Sequence, residues 1–161
     1  MRRIVGIALG IVGAVVVAGV AQSCGDSTAP GPKQYVSTML PGNELPAKTT
    51  TGTGITTFVD NGTQIDWTMS LTGMTGVFAS HIHLGSATTA SGPVIFNLFM
   101  PNGTNTSTLN GVVGSGTITN ANNVNISLDS LRVLFNNGNA YVNVHTTANG
   151  GGEIRAQVLP K

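Results

Sequence analysis

The sequence predicts an all-β domain, a Greek-key sandwich or barrel of about eight strands with one short crossover helix. Three observations carry this prediction. Alternating or β-branched runs recur at about 34–40, 52–60, 63–72, 77–84, 93–100, 112–119, 139–147 and 152–159, each bounded by turn residues. Only 8% of residues are charged, while Gly, Thr, Asn and Ser abound, a composition that suits an exported β domain better than a helical cytosolic one. Short strands at this spacing favour two packed sheets or a closed barrel over a mixed α/β sheet.

Met1-Arg2-Arg3, the uncharged run 4–21 and Gln22-Ser23 form the basic start, apolar middle and small-residue end of a secretory signal, so 1–23 is set aside from the fold. The stretch Val20-Ala21-Gln22-Ser23-Cys24 resembles a bacterial lipobox, with Ala21 in place of a larger aliphatic residue and Gln22 in place of a small one. Cys24, the one cysteine of the chain, is therefore the expected lipidation site and membrane contact. A plain membrane anchor is the alternative, since 18 uncharged residues lie near the lower limit of the roughly 17 to 25 that span a bilayer. The expected location is the cell envelope, membrane-anchored, or otherwise secreted. Cleavage before Cys24 leaves 24–161, with Lys33, Lys48, Arg132, Arg155 and Lys161 against Asp26, Glu44, Asp60, Asp66, Asp129 and Glu153. That balance is slightly acidic and offers nucleic acid no basic patch. With one cysteine no internal disulfide forms, and stability falls to packing and ladder hydrogen bonds.

Residues 24–33 carry the Pro/Gly/Ser composition of a tether, and 34–161 form the domain. In Asp60-Asn61-Gly62-Thr63, Asn-Gly is expected to supply the positive φ values of a tight hairpin turn joining the second and third runs. Ser127–Asn136 is the helix: Ser127 or Asp129 caps it, Leu128, Leu131, Leu134 and Phe135 share a face, and Asn137-Gly138 ends it.

Strand alternation places all three histidines of the chain on an outer face. In Ala79-Ser80-His81-Ile82-His83-Leu84, Ile82 and Leu84 take the core side and His81 and His83 the other; in Tyr141-Val142-Asn143-Val144-His145, Val142 and Val144 face inward and His145 outward. A hairpin centred near 149 opposes Tyr141 to Gln157, Asn143 to Arg155 and His145 to Glu153, and a one-residue slip would drive Arg155 into the core. Two readings follow. His81, His83 and His145 form a nitrogen-rich site for copper or zinc, with Glu153 as fourth ligand or as support for His145. Alternatively the histidines join Tyr141, Asn143, Glu153, Arg155 and Gln157 in a hydrogen-bonded lattice that closes the sheet beneath the 86–91 loop. Glu44 is either a solvated strand end or a partner for the Arg155 side of that sheet. Gly150-Gly151-Gly152 is a hairpin turn rather than a phosphate loop, and no motif assembles a nucleophile, a base and an orienting acid.

Four separated motifs, Asn43-Glu44-Leu45-Pro46, Ala79–Gly85 with Gly92-Pro93-Val94, Tyr141–Thr146, and Gly152–Gln157, together resemble the CHRD domain across about 34–160. Asn149-Gly150-Gly151 and Ala156 depart from that family's usual proline and glycine. The family is named for repeats in chordin and also occurs singly in bacterial exported proteins. The resemblance carries no settled activity; the leading expectation is a non-enzymatic binding or structural module of the cell envelope with an extracytoplasmic protein or ligand as partner, and the alternative is a copper- or zinc-binding protein that copper would make redox-active. A fainter similarity runs to copper-zinc superoxide dismutase, whose strand-borne histidines His81, His83 and His145 match in order. The bridging histidine, the zinc group with its aspartate and the disulfide have no counterpart, so dismutation is not expected.

Overall fold

Alternate residues are buried along most of the first three strands: Tyr35, Ser37 and Met39 in β1 (Lys33–Met39), Gly54, Thr56, Phe58 and Asp60 in β2 (Thr53–Asp60), and Ile65, Trp67, Met69 and Leu71 in β3 (Ile65–Met74). The computed structural model describes residues 31–161 apart from 104 and 124, so the signal peptide 1–23, Cys24 and most of the 24–33 tether lie outside the described residues. The chain continues through β4 (Val77–Leu84), β5 (Val94–Asn97), β6 (Leu109–Ile118), α1 (Leu128–Asn136), β7 (Ala140–Thr146), β8 (Ile154–Gln157) and β9 (Leu159–Pro160). One sheet has the order β6-β3-β2-β1-β9 and the other β5-β4-β7-β8, with every neighbouring pair antiparallel. After the β4–β5 hairpin in the second sheet, β6 returns beside β3, the long return that marks a Greek key. The predicted all-β sandwich with one helix is the observed fold.

The core lies between the sheets, where Phe58, Met69 and Leu71 meet Ile82, Val142, Val144 and Ile154, all fully buried. The ninth strand arises because the last predicted run divides. Ile154–Gln157 stays in the second sheet, the chain crosses at Val158, and Leu159 pairs with Val36 in the first. Leu84 departs from its expected core position at 39% exposure, because it is the terminal residue of β4 and the alternation ends there.

The β2–β3 turn spans four residues, with Asp60 opposite Ile65. Gly62 alone takes a positive φ, of 92°. Asn61 instead accepts from the Thr63 and Gln64 backbone N–H groups through its side-chain oxygen, so it acts by local hydrogen bonding and not by left-handed backbone. Ser127 caps α1 by accepting from Ser130 N, and Gly138 leaves it at φ 64°. The helix packs through Leu128, Leu131 and Phe135 and is tied to β2 by Arg132, which grips Asp60 at 2.8 and 2.9 Å. That guanidinium holds the Asp60 carboxyl below its usual range.

Candidate functional site

The pairing of β4 with β7 and of β7 with β8 sets a grid on the outer face of the second sheet. One row runs His81–Asn143–Arg155, the next His83–Tyr141–Gln157, and Ala79 opposes His145. Both the Tyr141–Gln157 and Asn143–Arg155 pairs follow the expected register. The ladder stops at Val144–Ile154, and the third expected pair fails to meet side chain to side chain. Glu153 sends its carboxylate to Thr146 Oγ1 and Asn149 Nδ2, while His145 takes a backbone partner, so Glu153 is not brought to the histidines. The cause is the turn, where Gly152 at φ 129° redirects the strand.

The three imidazoles converge. Centroids of His81 and His145 lie 4.9 Å apart, those of His81 and His83 5.6 Å, and one ring nitrogen of each falls within 4.8 Å of the others. Backbone carbonyls decide the tautomers. His83 Nδ1 lies 2.8 Å from Gly92 O and His145 Nδ1 2.9 Å from Gly150 O; a carbonyl only accepts, so both Nδ1 atoms carry the proton and both Nε2 atoms keep a lone pair. His145 Nε2 faces His81 Nδ1 at 3.1 Å, and His83 Nε2 is buried with no hydrogen-bond partner. Two nitrogens sharing a tetrahedral zinc at about 2.0–2.1 Å stand ~3.3 Å apart, so the His81–His145 spacing suits a shared ion as well as a hydrogen bond.

Around this triad the outer face is roofed. The 85–92 loop folds over it, held by Arg155, whose Nη1 and Nη2 donate to Thr89 O at 2.9 Å and Ser86 O at 3.4 Å. Arg155 is 2% exposed and its guanidinium lies 3.7 Å from the Tyr141 ring centroid. On its other side Tyr141 stacks on His83, centroids 4.9 Å apart and planes within 5°. The Gly92 peptide is gripped from both ends: its N–H donates to Tyr141 Oη and its carbonyl accepts from His83. A side chain at Gly92 would collide with Leu84 O, so only glycine fits. Gln157 Nε2 donates to Gly85 O and Gly138 O, pinning the loop's first residue. Glu44 is buried rather than solvated and accepts from Asn143 Nδ2, without an ion pair to Arg155 among the described residues. Burial raises its carboxyl pKa, with Arg155 acting in the opposite direction.

The sequence offered the side chains of this site and a covering 86–91 loop, but not the backbone carbonyls of Ser86, Thr89, Gly92 and Gly150 as the atoms that fasten it. Gly92-Pro93 was the one available signal.

Burial lowers the pKa of all three histidines, that of His81 to about 4 with His145 and His83 adding repulsion. They are therefore neutral donors at pH 7. Below their ordinary pKa of 6.5 the unfolded chain takes up protons that the folded one refuses, so stability falls as the pH drops from 6.5 toward 4. Asp60, lowered, acts below 3.8, whereas Glu44, raised, takes up its proton more readily folded than unfolded and so gains stability on acidification, working against the histidine slope. Urea denaturation of the apoprotein should show a loss of about 1–2 kcal/mol between pH 7 and 5, discounted for the partial exposure of His81 and His145. A His81→Gln variant should flatten that slope, and an unchanged slope would contradict the assignment.

Comparison with known proteins gives one family match, to the model described as CHRD domain, over residues 35–158. No curated protein matches, and no solved structure does.

Proposed function

Because the chain belongs to the CHRD domain family, and so is a binding or structural module in general, we propose that it is an exported, lipid-anchored envelope protein whose binding centre is a copper or zinc site. Cys24 is the lipid-bearing residue, after loss of 1–23, and His81, His83 and His145 are the ligands. The observation that carries the metal reading is the pair of backbone bonds from His83 and His145, each spending the Nδ1 proton on a carbonyl and leaving Nε2 lone pairs beside His81. Metal-ligating histidines are held in this way, with the second nitrogen fixing ring and tautomer. A donor set of three neutral imidazoles suits zinc and copper over magnesium or calcium. Glu153, bonded to Thr146 and Asn149, is not a member of the set.

The test is metal content and titration of protein purified without a histidine tag, beside a His81→Ala/His83→Ala variant. One equivalent of copper or zinc in the parent, and at least a hundredfold weaker binding in a folded variant, is the expected result. A parent that binds no metal, with a variant that is only less stable, would leave the histidines as a lattice closing the sheet.

A further inference from the structure

We infer that the ion held by His81, His83 and His145 keeps one coordination position open to solvent and fills it with a small exogenous anionic donor of the carboxylate or azide class. The inference rests on the metal reading above and extends it to a ligand.

Charge is the first argument. Among the described residues, the metal-capable cluster at this site holds the three imidazoles and no carboxylate. Neighbouring acids are committed elsewhere, Glu44 to Asn143 and Glu153 to Thr146 and Asn149. Three neutral ligands leave the full charge of a divalent ion uncompensated, and three protein ligands leave a tetrahedral ion one position short, the pattern of open zinc sites. Arg155 adds to the field. It lies two strands from His81 in the same row, about 10 Å across the sheet, and is buried against loop carbonyls, outside the ion pairs of the described residues, which all involve Arg132.

Access and hydrogen bonding give the second argument. His83 is 8% exposed beneath the loop, whereas His81 and His145 are partly exposed, so the open position lies on their side. Asn143, between His81 and Arg155 in that row, has a buried Oδ1 with no hydrogen-bond partner while its Nδ2 serves Glu44. That oxygen can only accept, so it would receive one hydrogen of a water whose other hydrogen is donated to the anion at the open position.

The full chain is loaded with one equivalent of Cu(II), its metal content is measured, and sodium azide is titrated while absorption and electron paramagnetic resonance are recorded. A new azide-to-copper charge-transfer band saturating at one azide per copper, and a several-fold higher half-saturation in the presence of acetate, are the expected results. Copper bound at one equivalent with spectra indifferent to a large excess of azide would overturn the inference and spare the metal site. A band of equal intensity in the His81→Ala/His83→Ala variant would also overturn it, by assigning azide to adventitious copper. Failure to load copper, seen before any azide is added, would overturn both readings.

Discussion

Replacing Arg155 with methionine should cost about 3 kcal/mol of stability and, in the same protein, weaken metal binding 10- to 100-fold. Methionine approximates the volume of the stem but donates nothing. Two loop carbonyls, Ser86 O and Thr89 O, then lose their donors, and an orphaned buried acceptor costs about 1–3 kcal/mol. The cation above Tyr141 disappears as well, a contribution of about 0.5–2 kcal/mol. Removing a buried charge offsets part of this loss, which keeps the estimate near the low end of the sum. The effect on metal follows from geometry, because the loop that Arg155 fastens ends in Gly92, whose carbonyl fixes the His83 tautomer. Supporting bonds of that kind are worth 10- to 100-fold in affinity. Urea denaturation and metal titration on one preparation separate the two effects. A destabilised variant with unaltered affinity would show that the loop does not organise His83. Arg155→Lys, charged but without the fork, should fall between the parent and methionine.

Phe135→Ala should be of similar size, about 3–5 kcal/mol. Phe135 is fully buried on α1, its ring edge-on to Tyr35 at 5.2 Å and tilted against Phe58 at 5.0 Å. It is the point at which the helix enters the core of the first sheet, and alanine would leave a cavity bounded by two rigid rings. Phe135→Leu, which keeps most of the volume, should cost under about 1.5 kcal/mol. Denaturation midpoints of the two variants decide the matter; equal midpoints would mean that the helix end rearranges to fill the space.

How far these elements were legible depends on what wrote them. The helix could be read because Ser127, the apolar face and Gly138 each act within their own turn. The outward direction of His81, His83 and His145 could be read because side-chain parity in a strand is geometric, and the Tyr141–Gln157 register because one slip would have buried Arg155 as a core residue. Parity failed where strands end: Leu84 reached the margin of β4 and Glu153 turned away at Gly152. A covering 86–91 loop could be read from its place and composition, but not the bonds that fasten it. Its bonds end on the carbonyls of Ser86, Thr89, Gly92 and Gly150, and every residue in a chain has a carbonyl.

The crossing at Val158 puts the two ends of the domain side by side. Tyr35 and Val36 of the first strand pair with Pro160 and Leu159 of the last, and Lys161 N donates to Gln34 O. The first sheet thus has its first-made strand waiting for β9, and the second sheet waits for β7 and β8, which follow the helix. A chain made from its N-terminus therefore completes both sheets only after β7, β8 and β9 have been made. Loop closure over this sequence distance is slow compared with a hairpin. The growing domain therefore keeps both sheets incomplete until its late strands join the early ones.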